Sequence, residues 1–97
     1  MEITSEHTSV LRKVEAGHVG WDPNPKTRGF TRRMSSGMQR RYESTAAQLR
    51  ELLVLWQLKI GGFIAHTKAD VPGPVVLTEL GVAELHPTPT TQDRRSA

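Results

Sequence analysis

The sequence predicts an α+β domain, and three observations carry that expectation. Met38, Tyr42, Ala46, Leu49, Leu53, Trp56 and Ile60 follow one another in steps of 4, 4, 3, 4, 3 and 4, the spacing of a single helix face. Two short apolar runs, FIAHT at 63–67 and PVVL at 74–77, lie on either side of Pro72 and Gly73 and read as a hairpin. A further helix is written in TSVLRKVEAG at 8–17. Ninety-seven residues suffice for one domain, because a chain of this size buries only about 60–70% of the surface exposed by its unfolded form.

The first helix places Val10, Leu11 and Val14 on a narrow apolar stripe. A Ser or Thr is available to cap its start, and Gly17 suits its end. HVGW at 18–21 then reads as a short strand stopped by DPNPK, where two prolines and an asparagine impose a loop. RGFTRRM at 28–34 alternates well enough to pair back on that strand. Phe30, Met34, Met38 and Tyr42 are also four apart, however, which suits a helix. Ser35, Ser36 and Gly37 favour a helix start at that point, and Ser36 with Gln39 matches a capping box.

From Gly37 the stripe continues to Ile60, about 36 Å of helix at 1.5 Å per residue. Thr45 with Gln48 forms a second capping box inside it, so residues 37–60 are either one helix or two broken near 43–45. Val54, Leu55 and Leu58 lie off the main stripe, an apolar surplus explained by burial on two sides or by a dimer or partner interface. Gly61 and Gly62 end the helix. After the hairpin, Thr78 caps a short helix, ELGVAEL, expected to turn Leu80 and Leu85 inward and to approach the sheet closely at Gly81. Residues 1–5 read as a flexible start, 6–86 as the domain and 87–97 as a disordered, Pro-containing polar tail.

Composition narrows the function classes. There is no cysteine, which rules out disulfides and thiolate metal sites. LLVLWQL at 52–58 is far short of the roughly 20 residues that a membrane span requires. The opening MEITSEHTSV is acidic and polar, unlike a secretory signal, so the expectation is a soluble, cytoplasmic protein without a membrane partner. His7, His18, His66 and His86 are scattered, with no metal-ligand spacing and no phosphate loop or nucleophile elbow nearby. No enzyme, cofactor or metal is expected. His18 and His66 read as strand-surface residues, and Trp21 and Trp56 as core anchors.

Thirteen Lys and Arg against ten Asp and Glu is a mild excess, but its distribution is uneven. No acid lies between Asp22 and Glu43, while Lys26, Arg28, Arg32, Arg33, Arg40 and Arg41 all do. Such a block raises a local positive potential suited to nucleic acid, or forms a solvated basic face with no partner.

Residues 45–85, and more loosely 9–19, resemble winged helix-turn-helix DNA-binding domains of the MarR-like and PadR-like kind. The resemblance rests on Gly62, Phe63 and Ile64 after the helix, on the hairpin, and on the LTxxGxxxL start formed by Leu77, Thr78, Gly81 and Leu85. It implies a winged-helix variant of three or four helices with a C-terminal wing and an extra N-terminal hairpin. Here the helix before the glycine is longer than in the family, and no separate helix of ordinary length precedes it. The resemblance also implies a small bacterial or phage transcriptional regulator that binds duplex DNA as a homodimer. Thr45, Gln48 and Arg50 would reach base edges or nearby phosphates, Arg40 and Arg41 would contact phosphates, and His66 and Lys68 would sit on the wing. The alternative is a protein-interaction module on the same scaffold, such as a phage-encoded inhibitor of a host protein, with Val54, Leu55 and Leu58 meeting the partner.

Overall fold

Three helices and a five-stranded antiparallel sheet form the α+β domain, in a computed structural model that describes residues 2–24, 29–68 and 70–87. The tail at 88–97, together with Lys26 and Arg28, lies outside the described residues. Helix α1 is Ser5–Glu15, three residues earlier than the sequence suggests. Its cap is Thr4: the Thr4 hydroxyl accepts from the His7 amide, and the His7 ring Nδ1 accepts from the Thr4 amide at 3.1 Å. Histidine here takes the part that Glu or Gln plays in the usual reciprocal cap. Val10, Leu11 and Val14 enter the core as expected.

Strands β1 (Val19–Asp22) and β2 (Gly29–Arg33) form the anticipated hairpin, with Trp21 opposite Phe30. The next segment corrects the expected helix from Gly37. Gln39–Arg41 is strand β3, paired with β2 so that Arg32 faces Arg40. The reason is the turn between them. The Met34 amide donates to the Met38 carbonyl at 2.8 Å, and Gly37 sits at φ +90°, as in a three-residue hairpin loop that ends on a left-handed glycine. The Ser-Ser-Gly sequence therefore closes a hairpin instead of opening a helix. Met38, first in the predicted stripe, is exposed.

Helix α2 is Ala46–Ile60, starting at the inner Thr45 cap and ending at Gly61. Strands β4 (Ile64–His66) and β5 (Gly73–Leu77) follow, paired antiparallel. Strand β5 also pairs with β1, Gly20 opposite Pro74, so the two hairpins fuse into one sheet of order β3-β2-β1-β5-β4. Helix α3 is Glu79–Leu85. The Thr78 hydroxyl accepts from the Gly81 amide at 3.2 Å and donates to the Gly62 carbonyl at 2.5 Å. One side chain thus caps α3 and ties it to the end of α2.

The core gathers Val10, Leu11 and Val14 from α1, Val19, Trp21, Phe30, Ile64 and Val75 from the sheet, and Leu52, Val54, Leu55 and Leu58 from α2. Side chains alternate across a strand, and the register assigns the buried apolar sheet residues to one face. On the other face Val76 is half-exposed, and the Thr31 and Arg33 side chains lie across Gly20. In α3 the inward position is Gly81, whereas Leu80 is half-exposed, contrary to expectation; Leu85 packs against the core.

A Cβ at Gly81 would lie 2.1 Å from the Phe63 carbonyl oxygen, a backbone atom with no freedom to yield. Gly81→Ala should therefore cost about 2 kcal/mol or more through overpacking. Gly37→Ala, strained in φ but with open space around it, should cost about 1 kcal/mol. Thermal denaturation followed by circular dichroism checks the order; equal losses would show that α3 does not rely on the close approach.

Candidate nucleic-acid interface

Four arginines of the acid-free block are brought together on β2 and β3. Arg40 and Arg41 are exposed on β3, an outer strand of the sheet, and Arg32 and Arg33 are half-buried on β2. Like charges placed directly opposite across strands are destabilising, and Arg32 faces Arg40 in the register. None of the four makes an ion pair among the described residues, whereas Lys13 pairs with Glu51 and Arg50 with Glu6. Charge on an outer strand does discourage edge-to-edge aggregation. That role needs no concavity, yet the arginines border one: an open depression of about 730 Å³ lies between Arg32, Gln39, Arg40 and Arg41 on one side and residues 42–44 on the other. A smaller depression of about 200 Å³ adjoins it, sharing Arg32 and reaching Lys13, His18 and Arg33.

Tyr42 lines the larger depression and Glu51 the smaller. The Tyr42 hydroxyl donates to Glu51 Oε2 at 2.6 Å, and Glu51 Oε1 accepts from Lys13 Nζ. Both carboxylate oxygens are thereby engaged away from the arginines. Burial, then the hydrogen bond and charge of Glu51, push the Tyr42 hydroxyl well above the ordinary tyrosine range, with Arg32 opposing. Gln39 is held by Thr31, whose hydroxyl donates to Gln39 Oε1 at 3.0 Å. Gln39 was marked only as the partner of Ser36 in an apparent capping box, and no local motif joined Tyr42, Glu51 and Lys13. The available signal was symmetry, since Arg32 and Arg40 are equidistant from Ser36.

The helix residues expected to read bases are occupied within the chain. Thr45 Oγ1 accepts from the Gln48 amide at 3.3 Å, and Gln48 Oε1 accepts from the Glu43 amide at 2.8 Å. Arg50 Nε donates to Glu6 Oε2 at 2.7 Å, a bond that lowers the Glu6 carboxyl and raises Arg50. His66 lies flat on Trp21, ring centroids 4.0 Å apart and planes within 10°, and its Nδ1 has no hydrogen-bond partner among the described residues. Lys68 is exposed beyond β4. The structure thus brings together Arg32, Arg33, Arg40 and Arg41 on one hairpin, whereas Thr45, Gln48, Arg50, His66 and Lys68 lie outside that hairpin.

The expected interface on Val54, Leu55 and Leu58 is also corrected. They are 2, 0 and 0% exposed and belong to the core, whereas Leu53 and Ile60 are 55 and 83% exposed. Helix α2 is apolar on both sides, and its inward half carries polar residues with internal tasks. Glu51 binds Tyr42, and Lys59 Nζ rests 5.0 Å from the Trp21 ring centroid and 4.9 Å from that of Trp56. Those polar side chains disguise the buried face.

No group of three metal-ligating side chains occurs among the described residues, and no helix there is long and apolar enough to cross a membrane. Comparison with known proteins finds no matching family model, curated relative or solved structure.

Tyr42 is the single tyrosine, so tyrosinate absorbance at 295 nm reports on it alone. Its folded pKa stands above the unfolded value, so this stabilisation is complete below about pH 10 and is lost as pH rises further. The native protein should show no tyrosinate signal at pH 10 to 11 until it unfolds. A reversible titration near pH 10 with unchanged circular dichroism would contradict the buried Tyr42 and Glu51 bond.

Proposed function

We propose that the chain is a small duplex-DNA-binding regulator that grips the phosphate backbone with the arginines of β2 and β3. The observation that carries this reading is the set of four arginines on one hairpin with no ion pair among the described residues, three of which, Arg32, Arg40 and Arg41, line one depression, with Glu51 diverted to Lys13 and Tyr42. Arginine forks match phosphate oxygens, and a two-stranded β-ribbon fits the major groove. Further support comes from the order α2, β4, β5, α3, with a glycine-ended helix and a threonine-capped helix that carries a glycine. This suits a winged helix-turn-helix variant in which β3 stands where a helix would precede α2. Helix α2 then serves as scaffold, and recognition moves to the sheet edge.

A second reading, a protein-interaction module or self-associating chain, is favoured by Leu49, Leu53 and Ile60, an exposed apolar line along α2.

Mobility-shift titration with duplex DNA at 50 and 200 mM salt decides between them. Four phosphate contacts predict a loss of affinity of about 10²-fold across that range, and Arg40→Gln should reduce the salt slope by about one contact. No shift at 50 mM salt would sink the DNA reading in favour of the protein-binding one.

A further inference from the structure

Phosphate groups in nucleic acids are of two kinds, and the depression bordered by β3 discriminates between them. An internal phosphodiester carries one negative charge; a terminal phosphomonoester carries about 1.5 to 2 at pH 7 and presents three free oxygens. Of the side chains around the depression, three arginines and one glutamate are charged, so 3 − 1 leaves two positive charges. That balance matches a monoester. Arg32, Arg40 and Arg41 each offer a planar fork, enough donors for all three terminal oxygens. The volume of about 730 Å³ exceeds what a lone phosphate needs and falls within the roughly 300–1,000 Å³ of small-molecule sites. No aliphatic side chain borders it, which disfavours an apolar ligand.

We infer that this depression is a pocket for a terminal phosphate and the nucleoside that bears it. The inference rests on reading the arginine hairpin as a nucleic-acid surface and adds a specific ligand group to it. The same chemistry comes from two sources, the 5′ end of a polynucleotide and a free nucleotide. Arg40 and Arg41 approach the phosphate from the exposed strand. Arg32 approaches from β2, held beside Tyr42, whose hydroxyl is already committed to Glu51.

The test compares three probes by fluorescence anisotropy on the full chain: a labelled 20-base-pair duplex with 5′-phosphate ends, the same duplex with 5′-hydroxyl ends, and a nucleoside 5′-monophosphate as competitor. A preference of about tenfold or more for the phosphorylated duplex, lost in Arg40→Gln and in Arg41→Gln while both variants keep the wild-type circular dichroism, supports the pocket with a strand end as the source. Displacement by the free monophosphate, lost in the same variants, supports it with a nucleotide as the source. Equal binding of both duplexes without competition by the monophosphate overturns the pocket and leaves the duplex-binding reading intact. Failure of both duplexes to bind, with no monophosphate signal in a direct titration, overturns both.

Discussion

Trp21 is the contact on which the rest of the arrangement depends. It sits on the central strand and meets Phe30 of β2 and Trp56 of α2 edge-on, at centroid separations of 5.5 and 6.0 Å, while His66 of β4 stacks on it. Phe30 and Trp56 also touch, at 5.1 Å. Pairs of this kind contribute about 0.5–1.5 kcal/mol each beyond the area they bury, but their larger effect is positional. The cluster locks the first hairpin against α2, and Gly29 is a glycine because a Cβ there would run into both indole rings. Lys59 Nζ rests over the two indoles. Without this cluster, β2 and β3 would have little to hold them in register with the core, and the arginines they carry would not converge.

Charge is partitioned accordingly. Glu6, Glu15 and Glu51 are drawn to Arg50, His86 and Lys13 around α1 and α2, leaving the outer hairpin with cations alone. Surface ion pairs contribute little stability, commonly under about 1 kcal/mol. Their consequence here is spatial: these three acids are committed on the helices, so among the described residues the arginines of β2 and β3 make no ion pair and only Glu43 shares their depression. A protein that opposes Arg32 to Arg40 without an internal anion tolerates repulsion that an external anion would relieve.

Much of the fold was legible because its signals are local. Val10, Leu11 and Val14, the Thr45 and Thr78 caps, and the Gly81 approach are each written within a few residues. Strand β3 was not legible, since Ser36 and Gln39 imitate a capping box and only the positive φ of Gly37 distinguishes a hairpin loop. The inward face of α2 was hidden for a different reason. Glu51 and Lys59 point to partners on other elements, so the helix shows no clean polar side to read. The joining of β1 to β5 links residues more than fifty apart, beyond the reach of any periodicity. In the site, the arginines were visible as an acid-free block. The occupation of Arg50 was not, because Glu6 lies 44 residues away.

The central claim is that contact with an anionic partner occurs at the sheet edge and not at the start of α2. Nuclear magnetic resonance titration of the isotope-labelled protein with unlabelled duplex DNA tests it most directly, by following backbone amides and arginine Nε–H signals together. The account predicts shifts confined to β2, β3 and residues 42–44, with Arg50 still paired and undisturbed. Shifts centred on residues 45–50 and 66–68, with the hairpin silent, would contradict it.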